Sequence, residues 1–308
     1  MNAQKQHVDV AVVIINYDGM CDTLQCLSSL AAKCDPKNFC VILVNNDSSV
    51  SFDERTVQDY PFQLTLISNC KNIGFARACN MGIKGAWEKK CEYVFLLNND
   101  TVILDDIIGI LKKKLSENIG LGIIGAVNYY YENPEKVWVA GINMDYRLGR
   151  NKFITEFDAK QEKIVYADYV PGSSMMIRSK ILEQLNGLDE KYFAYWEEID
   201  FCFRARKLGY RVAFLSNSKI LHKVGKSSSS ALKLYLRTRN KLYFYKKNFS
   251  FPEYFTVLLS EILAALTFSV YNLVLLRPLA SSGYFFGVLD FLKGNMGSQR
   301  INYFLKPR

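Results

Sequence analysis

Four apolar runs in the first hundred residues stop abruptly at asparagine. Residues 10–17 read Val-Ala-Val-Val-Ile-Ile-Asn-Tyr, 39–47 Phe-Cys-Val-Ile-Leu-Val-Asn-Asn-Asp, 64–69 Leu-Thr-Leu-Ile-Ser-Asn and 93–100 Tyr-Val-Phe-Leu-Leu-Asn-Asn-Asp. These are largely continuous apolar stretches rather than alternating ones, so they are expected to be strands covered on both faces. Segments with helical spacing separate them. Leu24, Leu27 and Leu30 mark one over 22–32, Asn72-Ile73-Gly74-Phe75 opens a second running to about 89, and Asp105 caps a third running to about 117. Strands and helices in alternation predict an α/β fold with a mostly parallel, doubly wound sheet. Such a sheet binds ligands beyond the carboxyl ends of its strands, which is where the polar ends of all four runs fall.

From about residue 123 the alternation breaks. Residues 128–170 are rich in Tyr, Asn and Gly and are expected to form a β insertion that shapes an acceptor pocket. Order returns with Val170-Pro171-Gly172-Ser173-Ser174, a turn into a strand reaching Ile177. A helix over 196–208 follows, ended by Gly209, then strands over 211–215 and 219–222. Gly225 and the serines at 227–230 read as a hinge. The expected domains are therefore 1–225, carrying the sheet, and 226–308, a helical extension. Within the extension, 232–247 is basic and aromatic, and 254–276 is apolar with Glu261 as its single charge. That length could span a bilayer, but Glu261 favours an interfacial or protein-packed helix.

Charge divides the chain in the same way. Residues 1–200 hold 21 Lys and Arg against 27 Asp and Glu, whereas 201–308 hold 18 against 3. A basic, apolar final third points to an anionic membrane surface rather than to nucleic acid. The eight cysteines form no CxxC pair and no metal spacing, and no signal peptide is visible in the first residues. Both fit a reducing, cytoplasmic setting.

The strand ends supply the candidate chemistry. Asn16, Tyr17, Asn45, Asp47, Asn98 and Asn99 are candidates to line a nucleotide-sized pocket, with Asp100 the carboxylate at its edge. A hard oxygen ligand of that kind suits Mn2+ or Mg2+, which complete their shells with substrate phosphates. Asn and Asp also favour turns, so one such end read alone decides nothing. Asn72, Gly74 and Arg77 sit at a helix start, a plausible diphosphate cradle. In Tyr195-Trp196-Glu197-Glu198-Ile199-Asp200, Glu197 and Asp200 are three apart and expected to share a face, with Glu198 pointing elsewhere. Like charges beside aromatics raise carboxyl pKa values, as a general base requires. His222, after Ile220-Leu221, is a candidate second metal ligand.

Together these residues resemble the inverting glycosyltransferase family 2, of the GT-A fold, and within it bacterial rhamnosyltransferase-type enzymes. The carriers run from Val12-Val13-Ile14-Ile15-Asn16-Tyr17 through Val44-Asn45-Asn46-Asp47-Ser48, Asn72-Ile73-Gly74-Phe75 and Leu96-Leu97-Asn98-Asn99-Asp100. They continue through Gly172-Ser173-Ser174, Gly187-Leu188-Asp189-Glu190 and Trp196-Glu197-Glu198-Ile199-Asp200-Phe201 to Lys219-Ile220-Leu221-His222. The resemblance implies a nucleotide-sugar donor, a dTDP- or UDP-sugar with rhamnose the leading candidate, bound with Mn2+ or Mg2+ at Asp100. It implies a catalytic carboxylate in the Glu197-Glu198 pair, with Glu198 as base. The acceptor would be a hydroxyl of a cell-surface polysaccharide or lipid-linked glycan precursor, with the enzyme peripheral at the inner face of the membrane and no bar to an oligomer. Two departures stand out: Asn45 occupies a position where the family usually has Asp, and Glu198 replaces the common Asp. The rival readings are a sugar nucleotidyltransferase and a non-catalytic basic protein binding membrane or nucleic acid.

Overall fold

The structure is a computed structural model and describes residues 8–46, 52, 59–224, 230–274, 278–297, 300, 301 and 304. The four apolar runs are strands β1 (Val10–Asn16), β2 (Phe39–Asn45), β3 (Gln63–Ser68) and β4 (Tyr93–Asn98). They lie parallel in the order β3-β2-β1-β4. Side chains of β1 alternate between two apolar layers: Val10, Val12 and Ile14 join one, Ala11, Val13 and Ile15 the other. A strand with apolar layers on both sides has no polar positions to alternate, hence the unbroken runs of β1, β2 and β4; β3, at the sheet edge, is only half-buried, so the expected cover on both faces fails there. Helix α1 (Met20–Lys33) joins β1 to β2, α2 (Phe75–Glu88) joins β3 to β4, and α3 (Ile107–Glu117) follows them. The cap of α3 is Asp106 rather than Asp105, because the Asp106 side chain accepts from the Gly109 amide at 3.1 Å.

Strand β5 (Thr101–Ile103) precedes α3, and β6 (Leu121–Tyr130) follows it. Beyond β4 the sheet continues with β11 (Ser174–Arg178), antiparallel to both β4 and β6. Next come β6 and β12 (Arg211–His222), parallel to each other, and β10 (Ile164–Tyr166) at the edge. Residues 211–222, expected as two strands, are the single strand β12, with a register shift between Leu215 and Lys219. The region 128–170 divides: β6 reaches into it and β7 (Val137–Val139) pairs with β6, whereas β8 (Gly141–Asp145) and β9 (Arg150–Ile154) form a separate hairpin.

Short α4 (Ser179–Gln184) leads by way of a 3-10 turn to α5 (Glu197–Lys207), which ends before Gly209 at φ +89. The last third folds as α6 (Ser230–Asn248), α7 (Phe251–Val274) and α8 (Pro278–Leu292). Helix α6 is not peripheral: Arg239 and Asn240 are fully buried. Residues 251–268 of α7 are long and apolar enough to cross a membrane by length and composition, yet only 17% of that window is buried in the protein. Most of the expected hinge, residues 225–229, lies outside the described residues.

Candidate active site

At the carboxyl edge of the parallel strands the asparagines first stabilise one another. Asn16 Nδ2 donates to Asn45 Oδ1 at 2.9 Å, and Thr23 Oγ1 donates to Asn16 Oδ1 at 2.8 Å. Asn99 Nδ2 in turn donates to Thr23 Oγ1 at 2.9 Å. This network ties β1, β2 and the end of β4 together, and Asn16 and Asn45 are buried within it. Asn46 accepts from the Ile73 amide and from Asn69 Nδ2 and donates to Asn72 Oδ1 at 3.0 Å, so it fixes the loop ahead of α2. Above this floor opens a cleft of about 830 Å³, lined by Tyr17, Asn46, Asn72, Asn98, Asn99 and Asp100 among others. That volume falls in the range of small-molecule sites.

Not every candidate faces it. Asn16 and Asn45 lie beneath the cleft rather than along it. Asp47 is outside the described residues. Gly74 and Arg77 do not form the expected cradle: the Ala76 amide donates to the Phe193 carbonyl at 3.1 Å, and Arg77 pairs with Glu190 at 2.9 Å on the surface. The role of Gly74 is steric, since at φ +91 a Cβ there would stand 2.6 Å from the Phe193 ring.

Asp100 and His222 meet because β5 pairs antiparallel with the end of β12, which sets His222 opposite Thr101. Their Oδ1 and Nε2 atoms are 2.9 Å apart, yet Asp100 Oδ1 is buried and makes no aligned hydrogen bond, nor does His222 Nδ1. Two donor atoms that close, one an orphaned carboxylate oxygen, suit neighbouring positions around one small cation, for which ligand distances near 2.1 Å predict a separation of about 3 Å. The edge of Trp138 packs on the His222 ring with centroids 4.6 Å apart. Among the described residues no group of three or more His, Cys, Asp or Glu converges. A bound cation would therefore draw its remaining ligands from substrate phosphates and water.

Glu197 and Glu198 open α5 after a turn whose backbone is strained at three non-glycine residues: Phe193 (φ 64), Tyr195 (φ 67) and Trp196 (φ 78). Both carboxylates line the cleft, each with a buried Oε2 that has no partner. Burial pushes the Glu197 carboxyl well above its ordinary range, and the neighbouring Glu198 adds to the effect. Burial also raises Glu198, against backbone N–H groups and Arg237, which favour its charge. Asp200 is the residue that turns away. It is fully buried, 2.6 Å from Arg204 Nε and 2.9 Å from Lys247 Nζ, and it accepts from Tyr192 and Asn248. The expected pairing of Glu197 with Asp200 is thus replaced by Glu197 with Glu198, because α6 brings Lys247 and Asn248 against Asp200.

Helix α6 also holds the strained turn. Asn240 Nδ2 lies 2.8, 2.8 and 2.7 Å from the carbonyls of Tyr192, Ala194 and Tyr195, and Arg239 Nη2 donates to Tyr192 at 3.2 Å. Sequence reasoning missed these residues, and it missed Lys233, Arg237 and Lys241, which line the cleft from the same helix. Their four-residue spacing was visible, but the direction in which the helix faces was not.

The family model described as glycosyltransferase like family 2 matches residues 7–243. The low-salt glycan biosynthesis hexosyltransferase of Haloferax volcanii is 25% identical over 244 residues, covering 76% of this chain and 74% of that one. The dTDP-rhamnosyl transferase of Shigella flexneri is 23% identical over 254 residues, covering 78% and 81%. Among solved structures, a mannosyltransferase from Pyrobaculum calidifontis in complex with GDP-Man and Mn2+ superposes with a TM-score of 0.58 at 14% identity, covering 92% of this chain and 87% of its own. That likeness establishes a GT-A-like fold, and with the family match over the sheet, the cleft and α6 it identifies the chain as a glycosyltransferase that belongs to family 2.

Proposed function

We propose that the protein is an inverting transferase that moves a sugar from a dTDP- or UDP-sugar, rhamnose being the leading candidate, to a hydroxyl of a cell-surface polysaccharide or lipid-linked glycan precursor. The observation that carries this reading is two adjacent carboxylates, each with a buried, unpartnered oxygen, in the same cleft as the Asp100–His222 pair. Asp100 and His222 would hold Mn2+ or Mg2+, which when bound supplies positive charge to the diphosphate leaving group. Tyr17, Asn72, Asn98 and Asn99 line the donor side of the cleft. Glu198 takes the acceptor hydroxyl proton as the acceptor oxygen bonds to the anomeric carbon and the bond from that carbon to the diphosphate breaks, with inversion. A carboxylate whose pKa burial has raised is a stronger base than one in water. Glu197 is pushed up as well, by burial and by the neighbouring Glu198, whereas backbone N–H groups and Arg237 favour the charge of Glu198.

The same reading assigns the protein to an anionic membrane surface at the inner face. Helix α7 is fixed inward by Glu261, while Phe255, Leu259, Leu263, Leu266 and Val270 on its outer side are about half exposed or more. A basic final third suits such a surface.

The test is thermal stability with nucleoside diphosphates and nucleotide sugars, each with and without Mn2+, followed by NMR of the product anomer. Metal-dependent stabilisation by one sugar nucleotide, release of a nucleoside diphosphate and an inverted anomer support the reading. Release of inorganic diphosphate, or retention of configuration, refutes it.

A further inference from the structure

Beyond Glu197 and Glu198 the cleft has a second wall, made by α6 and the β8–β9 hairpin. The two elements are in contact: Gly149, in the hairpin turn at φ +62, lies so close to α6 that a Cβ would stand 2.6 Å from Lys241 Cε. Helix α6 turns Lys233, Arg237 and Lys241 into the cleft at four-residue spacing, one stripe of a helix. Lys241 is neutralised by Glu261 at 2.7 Å. Among the described residues, Lys233 and Arg237 make no ion pair and no side-chain hydrogen bond. Glu198 feels the charge of Arg237 but does not pair with it. Facing them from β9, Asn151 also lines the cleft, and its buried Oδ1 has no partner.

Two cations without an ion-pair partner among the described residues, Lys233 half-buried and Arg237 exposed at the cleft mouth, and an orphaned amide oxygen along the same cleft describe a site for a ligand that is both anionic and hydroxylated. Arginine presents a planar fork that matches phosphate bidentately, and lysine adds a point charge. The Asn151 oxygen can accept a sugar hydroxyl. This wall comes from other elements than the strand-end edge that carries Asp100 and His222, and Glu198 lines the same cleft. We propose that Lys233, Arg237 and Asn151 form an acceptor subsite for a glycosyl phosphate, a saccharide carried on a phosphate or diphosphate. The assignment rests on the transferase reading above and names the acceptor class for it.

The phosphoryl group could belong to a lipid carrier or to a free sugar phosphate, and the experiment separates them. Wild-type protein and the Lys233→Gln/Arg237→Gln variant are titrated with inorganic pyrophosphate in EDTA, and separately with a nucleoside diphosphate plus Mn2+. The expected result is metal-free pyrophosphate binding by the wild type, weakened about 10- to 100-fold in the variant, with metal-dependent nucleotide binding unchanged. Arg237→Lys restores part of the loss, since it keeps the charge and loses the fork. Tighter binding of geranyl diphosphate than of pyrophosphate or glucose 1-phosphate identifies a lipid carrier, and comparable binding of all three a free phosphate ester. Either result supports the subsite.

Equal pyrophosphate affinity in both proteins, or none in the wild type, overturns it. A parallel loss of nucleotide binding also overturns it, because the cations would then belong to the donor site. A wild type that binds no nucleoside diphosphate with Mn2+ is a separate outcome that removes the transferase reading and this proposal with it.

Discussion

Replacing Asn240 by alanine tests whether a helix outside the sheet sets the position of the Glu197 and Glu198 carboxylates. The turn before Glu197 holds three non-glycine residues at positive φ, a strain of roughly 3–9 kcal/mol at 1–3 each. Something must hold it. Asn240 Nδ2 stands within 2.8 Å of three carbonyls of that turn, and its Oδ1 accepts from Arg239 Nε at 3.1 Å. Alanine leaves Tyr192 its bond from Arg239 but removes this donor from Ala194 and Tyr195. Arg239 Nε also loses its acceptor, so at about 1–3 kcal/mol for each of the three lost bonds the expected destabilisation is roughly 3–9 kcal/mol.

That is comparable to the strain being held, so the turn relaxes and carries Glu197 and Glu198 with it. Misplacement of a reacting group by about 1 Å costs on the order of 100-fold in rate. The expected result is kcat reduced by about that factor with donor KM little changed, measured well below the variant's melting temperature. A second readout separates positioning from general softening. Water entering the relaxed turn lowers the raised Glu198 pKa, so the acid limb of the kcat profile moves to lower pH. Wild-type kcat, or a loss confined to KM with an unmoved limb, would refute the argument.

The other perturbations are simpler. Glu197→Gln removes a carboxyl whose folded pKa is raised by burial; that group's stabilisation is present below its unfolded pKa of about 4.3 and is lost as pH rises through the folded value. The variant should therefore melt higher than wild type at pH 8 and equally at pH 4 by calorimetry, and equal melting at both would count against a buried, proton-holding Glu197. Asp100→Ala should abolish Mn2+-dependent nucleotide binding, read by the electron paramagnetic resonance signal of free Mn2+, while metal-free pyrophosphate binding persists. If Mn2+ binds Asp100→Ala as well as wild type, the ligand assignment fails. Leu263→Glu, at a side chain 54% exposed on α7, should reduce sedimentation with anionic vesicles without lowering the melting temperature, and unchanged sedimentation would exclude this face as the docking surface.

The sheet was legible because burial on both faces leaves a strand no polar positions, so β1, β2 and β4 stand out as uninterrupted apolar runs. Asp100 was legible for the same reason, as the charge that ends one of them. The neighbour of Asp100 was a guess until β5 appeared: three residues, Thr101–Ile103, are too short to give a periodic signal, yet their pairing with β12 delivers His222. The asparagines misled in part. Read as ligands, Asn16 and Asn45 instead satisfy each other, since a buried amide that finds a partner avoids a large desolvation cost. Helix spacing failed at Asp200 because i and i+3 neighbours share a face only until another element competes for one of them, and Lys247 and Asn248 arrive from far along the chain. Arg239, Asn240 and Arg237 were unreadable on the same ground.

Glu261 shows how far the last three helices belong to the site. In sequence it is the lone acid of the apolar stretch 254–276, a costly group for a bilayer. In the fold it is buried, with Lys241 at 2.7 Å and the Tyr284 hydroxyl at 2.6 Å, and it lines the cleft. Leu259 and Leu263 lie two residues to either side, about 200° around the helix, and both are exposed. A helix that crosses a bilayer alone needs an apolar surface all round, whereas α7 presents a charged foot to the cleft and an apolar back to the outside. The carboxylate therefore orients the helix as much as it stabilises it. Anchored through Lys241 to the stripe that carries Arg237, it keeps the apolar back of α7 and the α6 wall of the cleft in one fixed relation. A lipid-carried acceptor approaching from that side would meet Arg237 and Lys233 before it reached Glu198.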